Sequence, residues 1–341
     1  MNHKPLKGVM VGAGFFANFQ AEAWRRMPEV NIVTLCDAIP EKASEFAEKW
    51  GISKVYSDVA EMLERERPDF IDIVTRPESH LALTKLSAER GIHVICQKPM
   101  APSWDECLAM VDVCAAHNVR LMIHENWRWQ PWFREIKRML DSGLCGESVY
   151  AGFVMRSGDG FGPEPYPAQP YFREMERLLI YEMVVHFLDT LRFTAGEIAS
   201  VYAQLRRQNP VIKGEDCALI QMSFKNGALG LIDANRYVGR PHPTPTFGDF
   251  TIEGKRAKIR ATPNGEIFFA EYGKEERPHL FSSTNQGYKG DSVKATQEHL
   301  ISCLQSGAVA ESEGREYLKT VAVVFACYES AETGQIIVPK A

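Results

Sequence analysis

Long apolar runs, blocks of basic residues and closely spaced cysteine pairs are all missing from this chain. The 341 residues carry a formal net charge of −5, with 39 lysines and arginines against 44 aspartates and glutamates. Without a basic block, nothing in the sequence indicates a surface that follows nucleic-acid phosphates or an anionic membrane. No apolar run approaches the length that spans a bilayer. These absences argue against nucleic-acid and membrane partners and favour a small-molecule ligand.

The cysteines give no sign of a metal site. There are eight, none in a C-x-x-C pair, and most fall within apolar segments typical of strands or helix faces. We therefore predict reduced core thiols and no bound metal. Residues 1–7 lead directly into the first predicted strand and leave no room for the apolar region of a signal peptide, so we expect a cytoplasmic protein.

A glycine turn with the spacing G-x-G-x-x-A follows the first apolar run, and Asp37 closes the next one. In a nucleotide-binding turn Gly12 would permit the tight bend, Gly14 the approach of a pyrophosphate, and Ala17 close packing of helix on strand. Asp37 would accept from a ribose hydroxyl. The alternative is an ordinary glycine turn, but here strand, turn, helix, second strand and acid follow in order. The residues expected to line the cofactor at this turn are Gly12, Gly14, Phe15, Phe16, Ala17 and Asp37.

A carboxylate at Asp37 favours NAD, because it would repel the 2′-phosphate of NADP. Ala38 and Ile39 supply no compensating cation. Lys42 is the main argument for NADP, which stays the alternative.

The alternation of short strands and helices in residues 7–123 predicts an α/β Rossmann domain, a doubly wound parallel sheet, over residues 1–124. After residue 124 the pattern changes, and Asn226-Gly227 between two apolar runs signals an antiparallel hairpin. For residues 125–341 we predict an α+β domain with a large, mostly antiparallel open sheet, for substrate binding and oligomerisation.

Ligands of doubly wound sheets bind beyond the carboxyl ends of the strands. Three polar segments follow predicted strands there, and from them we expect further cofactor contacts by Thr75, Arg76, His80, Gln97, Lys98 and Asn126. Lys98, between a strand end and Pro99, could hydrogen-bond a substrate hydroxyl and stabilise a developing alkoxide. Its alternative role is that of a solvated surface lysine.

In the second domain, Glu182, His186 and Asp189 recur at helical spacing and predict one polar stripe on an apolar helix. His186 could be a catalytic base supported by a carboxylate, or a buried histidine in a satisfied pair. Two ligands at this spacing are too few for a metal site. Arg128 and Arg156 are candidate substrate-binding cations, with solvated surface positions as the alternative.

Taken together these motifs resemble the Gfo/Idh/MocA oxidoreductases, named for glucose-fructose oxidoreductase, inositol dehydrogenase and a rhizopine-catabolism protein. The similarity covers nearly the whole chain and is carried by the glycine turn, Asp37, Gln97-Lys98-Pro99, Asn126 to Pro131 and Glu182-x-x-x-His186. It implies NAD(P)-dependent hydride transfer at a sugar, polyol or inositol-like hydroxyl, with Lys98 and His186 in the active site. From the residues themselves we expect Lys98, His186 and Glu182 to be catalytic, and these three with Arg128 and Arg156 to contact the substrate.

Three departures from the family pattern stand out. Gln97 replaces a usual Glu, Glu182 a usual Asp, and the proline after Thr75 lies one place late. Two other functions remain open at this stage: a lyase or glycosidase that oxidises a sugar transiently with bound NAD, and a non-catalytic nucleotide sensor. Apolar residues alternate at Ala218, Ile220, Met222 and Phe224, and relatives pair such sheets, so we expect a homo-oligomer, either dimer or tetramer.

Overall fold

The structure is a computed structural model that describes residues 5–239 and 248–340. By its internal contacts the chain divides into two compact units. The first consists of the residues up to Asn126 together with Asp291–Leu318, and the second of Trp127–Gly290 together with the residues from Lys319 onward. The break lies close to the predicted boundary at residue 124, but 291–318 belongs by contact to the first unit, whereas the linear reading gave it to the second.

Six parallel strands form the sheet of the first unit, in the order β3-β2-β1-β4-β5-β6. They are β1 (Leu6–Val11), β2 (Val30–Cys36), β3 (Lys54–Tyr56), β4 (Phe70–Ile73), β5 (His93–Gln97) and β6 (Leu121–His124). The helices between them are α1 (Ala17–Arg25), α2 (Pro40–Trp50), α3 (Val59–Glu66), α4 (His80–Ala88) and α5 (Trp104–Ala116). This is the predicted doubly wound sheet, and the fold class is confirmed.

Helix starts in this unit follow the residue chemistry expected of them. The Asp58 side chain accepts from the backbone N–H of Glu61, and the Ser103 hydroxyl accepts from Glu106 N–H at 3.2 Å while donating to its carboxylate at 2.6 Å. Pro40 opens α2, and Gly51 closes it with φ 71°. Caps of this kind satisfy backbone groups that a helix end leaves without intrahelical partners.

The sheet of the second unit has eight strands, in the order β14-β13-β12-β11-β7-β10-β9-β8. They are β7 (Ser148–Arg156), β8 (Ile198–Arg206), β9 (Cys217–Phe224), β10 (Leu229–Asn235), β11 (Gly248–Gly254), β12 (Ala257–Ala261), β13 (Ile267–Glu271) and β14 (Arg277–His279). Among the strands of residues 127–239 and 248–290, only β7 and β10 pair in parallel, so the sheet is mostly antiparallel, as predicted. The turn at Gly227 has φ 88°, which explains the glycine.

Helices α6 (Pro131–Asp141) and α7 (Val185–Ala195) also belong to the second unit. Phe187 of α7 stacks on Phe153 of β7 with ring centroids 4.4 Å apart, and Phe133 of α6 meets both Phe153 and Phe250 edge-on. These aromatic rings form the core on the inner face of the sheet.

Two helices complete the chain, α8 (Ser292–Ser306) and α9 (Gly314–Thr333). Leu300, Ile301 and Cys303 of α8 lie in the same buried cluster as Met10 of β1 and Trp24 of α1. This packing explains why 291–318 joins the first unit, because the apolar face of α8 completes the core of that unit. None of the helices in residues 5–239 and 248–340 is long and apolar enough to cross a membrane.

One sequence expectation needs correction. Ala218, Ile220, Met222 and Phe224 of β9, chosen as an apolar surface for oligomer contacts, are at most 4% exposed and face the core. The opposite face of the sheet instead presents Val154 and Leu219, which are exposed among polar neighbours. Alternation along a strand identifies two faces but does not say which one the α-helices cover.

The cysteines are buried, with one exception. All eight lie in described segments and none is in a disulfide; seven are buried and Cys217 on β9 is half-buried. Burial raises the pKa of Cys36 and Cys145 to about 11. These thiols are therefore protonated at neutral pH.

Candidate active site

The glycine turn has the backbone that a dinucleotide site requires. Gly12 has φ 104°, and a Cβ there would stand 2.7 Å from the carbonyl oxygen of Val74. A Cβ on Gly14 would meet no heavy atom of the described chain within 4 Å. Open space beside a glycine backbone, at the entrance to α1, is where a pyrophosphate approaches the N–H groups of a helix start.

Asp37 lies at the end of β2 and is bonded to the same turn. One carboxylate oxygen accepts from Ala13 N–H at 2.8 Å and the other from Ile39 N–H at 2.9 Å. An ionised carboxylate has about four lone-pair positions, so both oxygens keep capacity for ribose hydroxyls. Turn and acid together fit a dinucleotide.

The segment after β4 is supported by a buried histidine. His80 is fully buried, and its ring nitrogens lie 3.0 Å from Met100 O and 3.2 Å from Thr75 O. Burial lowers the pKa of His80, although the backbone carbonyls oppose the shift. The ring therefore ties the loops after β4 and β5 together, while cofactor contact by His80 remains a prediction. Arg76 in the same loop is exposed.

The segments after β5 and β6 place the other candidates of this unit. Gln97 is buried and its side-chain oxygen accepts from the backbone N–H of Lys98 at 2.8 Å. Lys98 is half-buried. Asn126 is buried and donates to the Ser292 hydroxyl at 3.0 Å.

In the second unit Glu182 and His186 lie on a helix that changes type between them. Leu179–Val184 is π-helical and the α-helix α7 begins at Val185, so the predicted α-helix that carries Glu182, His186 and Asp189 is only partly correct. A buried carboxylate accepts hydrogen bonds from the backbone at the start of this π-helix. Glu215 accepts from the N–H groups of Leu178 and Ile180 at 3.2 and 2.9 Å and from the Tyr328 hydroxyl at 2.6 Å. Short π-helical segments are frequent at functional sites.

His186 is held against an aromatic ring. It is 3% exposed and stacks on Trp127, with ring centroids 4.5 Å apart and planes inclined by 19°. The Lys289 ammonium lies 4.5 Å from the centroid of the Trp127 ring. Stacking fixes the plane of the imidazole, which a proton acceptor needs in order to be pre-aligned.

A buried arginine lies beside Glu182. Arg236 follows β10, its Nη1 is 3.7 Å from the Glu182 carboxylate, and its Nε donates to Asp159 at 3.1 Å. The guanidinium also lies over the Tyr166 ring, 4.3 Å from the centroid. Burial alone would raise the pKa of Asp159, but the charge and hydrogen bonds of Arg236 outweigh it and lower that pKa. This arrangement keeps a cation beside Glu182 in a desolvated place.

Comparison with known proteins identifies the origin of these features. A model of the oxidoreductase family with an NAD-binding Rossmann fold matches residues 6–125, and a model of the GFO/IDH/MocA C-terminal domain matches residues 133–260. The chain belongs to the Gfo/Idh/MocA family.

Three relatives match over nearly their whole length. D-apiose dehydrogenase of Rhizobium rhizogenes is 35% identical over 99% of this chain and 98% of its own, and D-apiose dehydrogenase of Paraburkholderia graminis is 32% identical over 98% and 90%. The crystal structure of an oxidoreductase from Agrobacterium radiobacter in complex with NAD+, L-tartaric acid and magnesium is 33% identical, covers 98% of both chains and has a TM-score of 0.89.

These matches confirm the predicted class, an NAD-dependent oxidoreductase for a carbohydrate-like hydroxyl. In the described part of this Gfo/Idh/MocA protein, no group of three or more His, Cys, Asp or Glu side chains is placed to hold a metal ion.

The structure separates the remaining site candidates. Arg128 is buried in a bidentate pair with Asp189, at 2.7 and 2.6 Å, and Arg156 pairs with Asp233 on the outer face of the sheet. Asp189 thus serves Arg128 and is not simply the third member of a stripe with Glu182 and His186. Substrate contact by Arg128 or Arg156 stays a prediction.

Sequence reasoning missed Arg236 and Asp159. The two are 77 residues apart, and Asp159 lies in a Gly/Pro-rich loop without periodicity. The available signal was the position of Arg236 directly after a strand end. We used polar residues after strand ends as a signal only in the first unit.

Proposed function

We propose that this Gfo/Idh/MocA enzyme oxidises a small sugar of the D-apiose type with NAD+ as acceptor. The supporting observation is the pair of full-length relatives named for D-apiose at 35% and 32% identity. The relative that binds L-tartaric acid together with NAD+ supports a small polyhydroxylated ligand.

The roles we assign follow from the chemistry of each group. NAD+, when bound, accepts a hydride from the carbon that carries the reacting hydroxyl. Asp37 and the Gly12–Ala17 turn hold the cofactor. His186 accepts the hydroxyl proton, and the Lys98 ammonium hydrogen-bonds the oxygen as it gains negative charge.

Glu182 would accept a hydrogen bond from a neighbouring substrate hydroxyl. The Arg236 guanidinium, 3.7 Å away, stabilises the ionised carboxylate that such a contact needs. Arg236 is itself balanced by Asp159, so the cluster of Asp159, Arg236 and Glu182 carries one net negative charge.

The test is an assay of NADH formation with a panel of D-apiose, other aldopentoses, myo-inositol and L-tartrate. We expect the highest kcat/KM with D-apiose and one NADH for each sugar consumed. Higher efficiency with myo-inositol or L-tartrate would overturn the substrate. Sugar consumption without net NADH would instead identify a transient-oxidation lyase.

We also propose that the outer face of the eight-stranded sheet pairs with a second copy of this chain. Val154 and Leu219 are exposed there at 44% and 39%. The predicted cytoplasmic location remains a prediction.

A further inference from the structure

A buried chain of hydrogen bonds leads from a carboxylate to the backbone of Lys98. Asp72 of β4 accepts from Gln20 Nε2 at 2.8 and 3.0 Å and from Trp24 Nε1 at 2.6 Å. Gln97 Nε2 donates to Gln20 Oε1 at 3.1 Å, and Gln97 Oε1 accepts from Lys98 N–H at 2.8 Å. Asp72 and Gln20 are fully buried and Gln97 is 5% exposed, so water cannot replace a missing partner cheaply.

The Lys98 end of this chain fixes its direction. A backbone N–H can only donate, so Gln97 must turn its oxygen toward Lys98 and its NH2 toward Gln20. Gln20 then accepts through its oxygen and turns its own NH2 toward Asp72. Burial raises the pKa of Asp72 to about 7, and the hydrogen bonds from Trp24 and Gln20 oppose that shift by favouring the ionised carboxylate.

We infer that Gln97 is a positioning residue that holds the backbone of Lys98 through Gln20 and Asp72, and that the carboxylate at position 72 requires an amide at position 97. The inference rests on the proposed role of Lys98. Gln20 and Trp24 lie on α1, which begins at the glycine turn, so one network connects the cofactor turn to the lysine segment.

An ionised glutamate at position 97 cannot donate to Gln20, and only uptake of a proton would restore that donor. In Gln97→Glu, two oxygens would face each other in a dry site beside a second carboxylate. In Asp72→Asn, an amide NH2 replaces an oxygen that accepted a hydrogen bond. The new NH2 then faces the NH2 of Gln20. If the amides of Gln20 and Gln97 both flip, the NH2 of Gln97 faces the Lys98 N–H instead.

The double variant Asp72→Asn/Gln97→Glu removes both conflicts. The new amide at position 72 accepts from Trp24 through its oxygen and donates to the Gln20 oxygen through its NH2. Gln20 then donates to the new carboxylate at position 97, which also accepts from Lys98 N–H. The buried site again holds one carboxylate, and every bond of the chain is restored with Gln20 reversed.

The experiment is the four-member cycle of wild type, the two single variants and the double variant. Each is measured by urea unfolding, by hydrogen exchange of the peptide that contains Lys98, and by kcat and KM. Gln130→Glu, a change at a buried glutamine of the second unit, is the matched control alone and with Asp72→Asn.

We expect each single variant to lose about tenfold or more in the equilibrium constant for folding, because an unsatisfied buried group costs of that order. We expect kcat to fall by about tenfold or more as well, because a displacement of about 1 Å at a reacting group can cost about 100-fold in rate. The Lys98 amide should exchange faster in both. The kcat of the double variant should recover to within about threefold of wild type. Such coupling is expected of groups in one hydrogen-bond network. As the control, Asp72→Asn should not rescue Gln130→Glu.

Additive losses in the double variant would overturn the network. Single variants that lose stability but keep the kcat and Lys98 exchange of wild type would show a structural role only and overturn the positioning. If the wild type turns over no sugar of the panel, the proposed function fails, while unfolding and exchange still decide the network.

Discussion

In our proposal, cofactor choice depends on the single carboxylate of Asp37. In Asp37→Asn the side chain can still accept a backbone N–H but no longer repels a 2′-phosphate. We expect the ratio of kcat/KM for NADP to that for NAD to rise about tenfold or more, equivalent to ~1.4 kcal/mol. Steady-state kinetics with both cofactors measure it. A wild-type enzyme that already prefers NADP would contradict the assignment.

Lys98 acts, in our proposal, on charge that develops only in the transition state. Lys98→Ala should therefore lower kcat by about 100-fold or more, as removal of one oxyanion donor does, with little change in NAD affinity. Fluorescence titration gives the affinity and initial rates give kcat. Lys85→Ala, at an exposed lysine on α4, is the control and should leave both values unchanged.

His186 has two separable properties, a basic nitrogen and a ring stacked on Trp127. His186→Phe keeps an aromatic ring and removes the base, whereas His186→Ala removes both. A base contributes roughly 100- to 10,000-fold in rate, so both variants should lose that much. In the oxidative direction wild-type activity should fall at acid pH, because imidazolium cannot accept the substrate proton. The residual activity of both His186 variants should not show this fall at acid pH. Wild-type turnover in His186→Phe would assign proton transfer elsewhere.

Among whole elements, the short edge strand β3 depends on one buried carboxylate at the end of α3. Glu66 pairs with Lys54 at 2.8 Å and Lys7 at 2.9 Å and accepts from Tyr56 at 2.9 Å. Lys54, Lys7 and Tyr56 together lower the pKa of Glu66 to about 2, against the effect of burial.

Because the folded-state pKa lies below the unfolded one, this stabilisation is complete above about pH 4.5 and is lost as pH falls toward about 2. Glu66→Gln should therefore lower the free energy of unfolding at pH 7 and bring a smaller further loss between pH 5 and pH 3 than wild type. Urea unfolding at each pH measures it. Glu64→Gln, at an exposed position of the same helix, should follow wild type.

The alternation of strands and helices predicted for residues 7–123 agrees with the elements of the first unit. Strands buried on both faces are continuous apolar runs, and caps such as Asp58 and Ser103 mark where helices begin. Strands β13 and β14 are hard to recognise in the sequence, because Ile267–Glu271 is short and β14 contains a proline, although Asn264-Gly265 before them is a turn signal.

The candidate site was predictable only as a set of separate motifs. The π-turn at Leu179–Val184 has the same apolar spacing as an α-helix, and its cause lies in Glu215, more than thirty residues later. The pairing of Asp159 with Arg236 and the direction of the Gln97 amide likewise depend on tertiary neighbours. Local patterns do not encode such partners.

For the whole molecule, the outer sheet face predicts the oligomeric state. Leu219→Asp replaces an exposed apolar side chain of β9 with a second carboxylate beside Asp233 of β10, and burying that charge in a pair of sheets is costly. We expect wild type to be a dimer or tetramer by light scattering at micromolar concentration, and Leu219→Asp to dissociate. Leu280→Asp, which changes a leucine that is 91% exposed, should not. A monomeric wild type would refute this interface.

Because seven of its thiols are buried, this enzyme has one natural site for selective thiol labelling. Cys217 is the one half-buried cysteine, and it alternates with the core-facing Ala218 on β9, which places it on the outer face of the sheet. In a single subunit a maleimide therefore reaches Cys217 before any other thiol. The other seven cysteines need not be replaced for this labelling to be selective. Because burial raises the pKa of Cys217 as well, its labelling is slow at neutral pH and accelerates in mild alkali. Since Leu219 lies two residues away on the same face, the labelling rate in the unmodified sequence reports whether a second copy covers that face.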